Sequence, residues 1–298
     1  MSIHQPTAID VLSRHGLPAT RALIRKLHVG LDKVAAEACG SRDLEVDGAE
    51  GRLCARLYEP PGLPEGGPLL LYFHGGGFVL CDLDSHDALC RRLAAAAGVR
   101  LLSVDYRLAP EHRFPAMHRD AEAAYAWTLA HATELGADPG RIGIGGDSAG
   151  GHMAAWLALH GAERPPFLVL LYPLLDVGVE QWEGSPFQDL RFIGRIAVGY
   201  IKSQIEDYEA EGGSLAGFRI MDGDLSRLPP TVLVEVGLDP LRPGVNAFGE
   251  AAAKAGVRVE KLAWSGLAHG ALNFAYLSKQ AAQAVDETGA ALRRLLEG

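Results

Sequence analysis

Three short segments of this 298-residue sequence hold residue types that could together do nucleophilic chemistry. Gly146-Asp147-Ser148-Ala149-Gly150-Gly151 fits G-x-S-x-G, with a strand-like run at 141–145 before it and the helix-like run AGGHMAAWLALH after it. A serine between small residues on a tight strand-to-helix turn carries its hydroxyl above the strand ends. There it meets a helix N-terminus, which favours developing negative charge. The second segment, His74-Gly75-Gly76-Gly77-Phe78, follows the apolar run LLLYF. Three glycines in a row destabilise regular structure, but they let backbone N–H groups approach an oxyanion that side chains would obstruct. Gly75, Gly76 and the N–H of Ala149 are the three donors expected.

A serine hydroxyl is a poor nucleophile until a base takes its proton, and the base needs an orienting acid. Of the 11 histidines, His152, His160 and His269 lie downstream of Ser148. His152 and His160 fall inside the helix that follows the serine and point along it. His269 sits in a Gly-flanked loop, Ser265-Gly266-Leu267-Ala268-His269-Gly270, just after the strand-like VRVEKLAW, where a base can reach over a sheet edge. For the acid, the candidates are Asp176, Asp189, Asp207, Asp222, Asp224 and Asp239. Asp239 directly follows a buried-strand pattern in VLVEVGLDPLRPG, with Gly237 and Pro240 marking the turn. Asp222 and Asp224 read as solvated loop residues, and Glu235 as a strand residue satisfied by a local partner. The chemistry predicted is acyl transfer through Ser148, His269 and Asp239.

A nucleotide loop is the bland alternative. Gly143-Ile144-Gly145 opens a G-x-G, but Ser148 stands where the third glycine belongs, and the run 167–171 supplies no ribose-binding carboxylate. No phosphate-cradling G-x-x-x-x-G-K-[ST] is present. The pairs His112 and His118 lack an accompanying ligand set, so no metal and no cofactor are expected.

The elements that must position these residues read as an α/β chain. Residues 1–40 are predicted helical, with Leu23, Ile24, Leu27, Leu31 and Val34 as an apolar stripe. Alternation around Asp47-Gly48 within 41–59 predicts a hairpin. Strands are then expected at 69–73, 100–104, 141–145, 167–172, 231–236 and 257–263. Helices are expected at 84–97, 115–135, 149–160, 247–255 and 279–296. Such alternation implies a mostly parallel sheet covered by helices on both faces, and near-continuous runs such as TVLVEV fit strands buried on both sides. Residues 176–226 break the rhythm. With 1–40 they form a candidate helical cap over a core of 41–175 and 227–298; Phe187, Phe192 and Tyr200 could line its pocket or pack within it.

Composition bounds the rest. Hydrophobic residues are 48% and charged residues 22%, as in a folded globular protein. The net charge of -9, with Lys and Arg scattered, argues against nucleic acid as a partner. No apolar run reaches the roughly 18 to 20 residues a membrane span needs. The N-terminus does not read as a secretion signal, and Cys39, Cys54, Cys81 and Cys90 match no metal or disulfide spacing, so a cytoplasmic location with free thiols is expected.

The stretches HGGGFVLCDLDSHDALCRRLA, LLSVDYRLAPEHRFPA, GDSAGGHMA, GLDPLR and the closing HG occur in order through 69–275. In them the chain resembles the bacterial hormone-sensitive lipase family of α/β-hydrolase esterases. The resemblance implies an α/β-hydrolase fold with a cap, and a serine carboxylesterase with Ser148, Asp239 and His269 as its triad. It gives the oxyanion hole to Gly75, Gly76 and Ala149, and supporting roles to His74, Asp147 and the segment 106–112. Three positions depart from the family pattern: Cys81 where Gly is frequent, Pro243 where an acid is frequent, and Ala271 where Phe is common. They bear on substrate choice, not on reaction type. Short- to medium-chain esters are the expected substrates. A lipase or amidase on the same residues is an alternative, and a small-molecule receptor on the same scaffold is a rival of another class. A homodimer could form through the edge strand near 257–263.

Overall fold

The apolar runs pair into one sheet of eight strands in the computed structural model, which describes residues 16–28, 39–175, 208–209 and 211–297. The strands are β1 (Gly40–Gly48), β2 (Gly51–Glu59), β3 (Gly67–Phe73), β4 (Arg100–Val104), β5 (Ala137–Asp147), β6 (Leu168–Leu171), β7 (Thr231–Leu238) and β8 (Val259–Ala268). Their spatial order is β1-β2-β4-β3-β5-β6-β7-β8. β1 and β2 are antiparallel to each other, and β2 is antiparallel to β4. Every later pairing is parallel.

Among the described residues the six α-helices are α1 (Leu17–His28), α2 (Asp87–Ala97), α3 (Ala116–Ala130), α4 (Ala149–His160), α5 (Arg242–Lys254) and α6 (Lys279–Glu297). They cover both faces, and the strands alternate between the two cores with the period of two that pleating dictates. Leu69, Leu71 and Phe73 of β3 and Leu168 and Leu170 of β6 pack with α3, α4 and α5. Leu70, Tyr72, Val169 and Leu171 pack on the other face with α2 and α6. Every one of these side chains is fully buried, as the near-continuous apolar runs require.

Boundaries depart from the sequence reading in places with local causes. The hairpin is present, but its two-residue loop is Ala49-Glu50, because Gly48 pairs with Gly51. The helix expected over 115–135 stops at Ala130. The chain then makes tight turns, with Leu135 donating to both His131 and Ala132 carbonyls, and reverses at Gly136 with φ +69. α5 begins at Arg242, five residues earlier than expected, with Pro243 in its first turn, where the missing N–H costs nothing. The N-terminal stripe is different from the one expected. Leu17 is buried and Ile24 half-buried, while Leu23 is 57% exposed. Leu31, Val34 and the cap residues 176–207, including Phe187, Phe192 and Tyr200, lie outside the described residues. Among the described residues no helix is long and apolar enough to cross a membrane.

One polar pair sits in the larger core. His118 of α3 and His152 of α4 are buried, with ring centroids 5.2 Å apart and planes edge-on. Phe78, Phe114, Trp156 and Phe218 surround His118, or in the case of Phe78 both rings. His152 Nδ1 lies 2.9 Å from the Leu174 carbonyl, but among the described residues His152 Nε2 and both nitrogens of His118 have no partner. Burial pushes both rings toward the neutral form: His118 falls well below 6.5 and His152 to about 4, despite the Leu174 hydrogen bond.

A base whose folded pKa is depressed is charged by acid first in the unfolded chain. Stability is therefore intact above about pH 6.5 and lost as pH falls below it, down to about pH 4 for His152 and further for His118, by up to about 1.4 kcal/mol per pH unit for each ring. Denaturant unfolding at pH 7 and pH 5 should show this loss in the wild type and a smaller one in His118→Phe. An equal loss in both would refute the cause.

Candidate active site

β3 is the strand from which neighbours extend both ways, with β4 on one side and β5 on the other. The connection after β3 leads to α2 on one face, and that after β5 leads to α4 on the other. The two segments part above the strand ends and leave a crevice there. In that crevice Phe73 is paired with Gly146, so the glycine loop and the serine turn start side by side.

The turn at Ser148 is shaped by contact with the end of β3. A Cβ on Gly146 or on Gly150 would run into the Phe73 carbonyl oxygen, which is why a G-x-S-x-G spacing is needed here. Ser148 has φ +51 and ψ -116, a conformation that costs a non-glycine residue about 1–3 kcal/mol. The Ser148 N–H donates to the Leu171 carbonyl, and its own carbonyl accepts from Leu174 and from His152, so its backbone is held on three sides.

His269 Nε2 lies 2.9 Å from Ser148 Oγ, and His269 Nδ1 lies 2.8 Å from Asp239 Oδ2. Leu238 of β7 pairs with Ala268 of β8, which places Asp239 and His269 one residue beyond a shared rung. Asp239 is buried, and its other oxygen accepts from the Leu241 N–H at 2.8 Å. The carboxylate accepts a hydrogen bond from the Nδ1–H, which leaves the Nε2 lone pair toward the serine hydroxyl. Tyr172 stands edge-on to the imidazole, with ring centroids 5.0 Å apart. Burial works to lower the His269 pKa, but the hydrogen bond and charge of Asp239, with the charge of Asp147, outweigh it and raise it above 6.5. Such an arrangement can deprotonate the hydroxyl as it attacks and store the proton on an imidazolium.

Asp147 is buried beside the serine. Its Oδ1 accepts from Tyr72 Oη and from the Gly75 N–H, each at 2.8 Å, and His86 Nε2 lies 3.3 Å away. Burial would raise its pKa, but the charge and hydrogen bond of His86 and the Tyr72 hydroxyl bring it below the ordinary carboxylate value.

The Gly75 bond corrects one expectation. With its N–H committed to Asp147, Gly75 is not free to serve an oxyanion, and a Cβ there would strike that carboxylate. Gly76 and Gly77, at φ +112 and +62, and Ala149 at the start of α4 have N–H groups without an acceptor among the described residues. Gly77 is not among the donors named from the sequence; its position in the glycine run was the available signal, and the Asp147 contact leaves the N–H of Gly77 open while occupying that of Gly75.

The other sequence candidates lie elsewhere. His160 packs at a tilt against Trp156 at the end of α4, with ring centroids 5.8 Å apart. Asp222 is exposed, and Asp224 caps a short turn through Ser226. Glu235 pairs with Arg242 and Lys261. Asp176, Asp189 and Asp207 lie outside the described residues. His74 stacks on Tyr106, whose hydroxyl donates to the His74 carbonyl, so this pair ties the glycine loop to the 106–112 segment. Cys81 has φ +71, a conformation that glycine adopts without strain, and burial pushes its thiol up to about 12. Among the described residues no group of three or more His, Cys, Asp or Glu side chains could hold a metal ion.

Comparison with known proteins gives the family and fold to which this site belongs. Residues 70–273 match a family described as having the alpha/beta hydrolase fold. The chain is 39% identical over 267 residues to the esterase LipI of Mycobacterium tuberculosis, covering 86% of this chain and 82% of that protein. It is 32% identical over 275 residues to ethyl acetate hydrolase of Pseudomonas putida, covering 88% and 86%. The structure of an esterase from Pyrobaculum calidifontis superposes with a TM-score of 0.83 at 31% identity, covering 99% of both chains.

The charge of Asp147 contributes to the raised His269 pKa, and His269 must be neutral to accept a proton. Activity should therefore fall on the acid side, with kcat/KM half-maximal above pH 6.5, and Asp147→Asn should move that limb to lower pH. A pH–rate profile of the two proteins checks both; an unmoved limb would count against the electrostatic role.

Proposed function

The chain belongs to the alpha/beta-hydrolase family and is a carboxylic ester hydrolase, and we propose that it cleaves short- to medium-chain esters through an acyl-enzyme formed on Ser148. The observation that carries this reading is the unbroken hydrogen-bond chain from Ser148 Oγ through His269 to Asp239.

In this reading Ser148 Oγ attacks the ester carbonyl while His269 Nε2 takes its proton. The carbonyl oxygen becomes an oxyanion, held by the N–H groups of Gly76, Gly77 and Ala149. As the tetrahedral intermediate collapses, the bond to the alkoxy oxygen breaks and His269 returns its proton to the departing alcohol. Water then enters, gives a proton to His269 and attacks the acyl group, and the carboxylic acid leaves as Ser148 recovers its hydrogen. Asp239 keeps the imidazole in one tautomer throughout and stabilises its charged form. Fixed amide donors cost no reorganisation when the charge appears, and each is worth about 10² to 10³ in rate.

The preference for smaller esters is supported by the relative named for ethyl acetate. The four cysteines are all unpaired thiols, which supports a reducing, cytoplasmic setting. β8 lies at the sheet edge and is a candidate strand for pairing with a second copy.

Ser148→Ala should lower kcat by a factor of about 10⁴ or more, and a labelled fluorophosphonate should mark the wild type and not the variant. Nitrophenyl acetate, butyrate, octanoate and palmitate should give the highest kcat/KM at butyrate or octanoate. A maximum at palmitate would replace the esterase reading with a lipase one.

A further inference from the structure

α1 is tied to the segment that carries the oxyanion donors. Arg21 donates from Nε to the Val79 carbonyl and from Nη2 to the Ala109 carbonyl, each at 2.8 Å, and its guanidinium also pairs with Glu111. One turn further on, Arg25 pairs with Asp82, 2.7 Å from Nε and 2.6 Å from Nη2 to Oδ2. Val79 and Leu80 in turn donate their N–H groups to the Gly76 carbonyl, and Ala109 donates to the Phe78 carbonyl. The peptide that presents Gly76 and Gly77 is therefore gripped at its far end by Arg21.

Asp82 passes the second tether inward. Its Oδ1 accepts from the Ser85 N–H, and its N–H donates to Ser85 Oγ, both at 2.8 Å. Ser85 Oγ lies 3.1 Å from His86 Nδ1, and His86 Nε2 faces Asp147, which holds the Gly75 N–H. The glycine run is thus held at both ends, by Asp147 at Gly75 and by α1 at Val79 and Asp82.

We propose that Arg21 and Arg25 are positioning residues for the oxyanion loop, so that docking of α1 sets the rate of acyl transfer and not the binding of the ester. The two side chains meet the loop through backbone carbonyls and a buried carboxylate, contacts that fix a peptide's orientation. Arg21 needs its planar fork to span two carbonyls and a carboxylate, and one ammonium cannot do so. Arg25 meets Asp82 through the one oxygen Oδ2, with Asp84 Oδ2 3.8 Å from its Nε, and a point charge can also serve that arrangement. The inference rests on the ester-hydrolase mechanism above, and wild-type turnover of nitrophenyl butyrate tests that mechanism independently.

The test uses the full chain carrying R21A, R25A, R21A/R25A, R21K, R25K or D82N. Each is measured for kcat and KM on nitrophenyl butyrate and for Ki of a trifluoromethyl ketone that mimics the tetrahedral oxyanion. The expected result for R21A/R25A is a fall in kcat of about 10-fold or more, a fraction of the 10² to 10³ that loss of a whole donor costs. KM should stay within about twofold, and the ketone Ki should rise by the factor that kcat/KM loses. D82N should act in the same direction as R25A. R25K should recover most of the loss, and R21K should not. A raised KM with kcat unchanged would make α1 an ester-binding element and overturn the proposal, as would unchanged constants in R21A/R25A. Should R21A/R25A fail to fold, R21K and D82N, which keep side-chain bulk, carry the same two outcomes.

Discussion

The parallel ladder between β7 and β8 is the constraint on which the rest depends. Its last rung, Leu238 with Ala268, sets Asp239 and His269 side by side although 30 residues separate them in the chain. A slip of one residue would turn one of the two side chains to the opposite face of the sheet. That register is not held by the rung itself, since a single backbone hydrogen bond contributes only about 1 kcal/mol net. Up to Val236 it is held by Val232, Val234 and Val236 on one face and Leu233 on the other, all fully buried, whose burial fails together if the strand shifts; an irregularity between Val236 and Leu238 then advances β8 by two residues, so that Leu238 meets Ala268.

The same logic brings in the serine from farther away. Ser148 is reached from β8 only across the ends of β6 and β7, so His269 must lean over two strands. Tyr172, at the end of β6, fills the space beneath the leaning imidazole. The two acids near the serine then divide the electrostatic work by geometry. Asp239 touches the imidazole and fixes its tautomer. Asp147 does not touch it, but sits close enough that its charge helps to raise the His269 pKa while its oxygens organise Tyr72, Gly75 and His86. A buried carboxylate survives in that position because several donors replace the water it has lost.

Exposed ion pairs are generally worth little, and the arginines of α1 illustrate where such pairs can still matter. Their value here is directional. Arg21 binds two backbone carbonyls on separate segments, Val79 and Ala109, which fixes the distance between them. The loop they constrain carries positive φ at Gly76, Gly77, Phe78 and Cys81, a run of conformations that a free chain would readily leave.

Much of this was legible in the linear sequence, because the information was local. The helix at 149–160 and the strand at 100–104 end where their patterns end, since apolar runs flanked by Gly mark boundaries through backbone preference alone. The serine turn, the glycine run and the loop histidine could be named from residue type and order. Other features depended on contacts between distant segments. Leu23 reads as part of an apolar stripe, yet it is exposed, because Leu17 and Ile24 are the residues that α1 turns toward its support. Gly75 reads as an amide donor, yet Asp147 occupies its N–H from 72 positions away. Residue types and spacing determined which chemistry was available and which segments would be strands or helices. Only the folded sheet decided which side chains share a rung, which amides are left open and which helix grips the loop, because hydrogen-bond partners and buried faces are properties of pairs that the chain order does not contain.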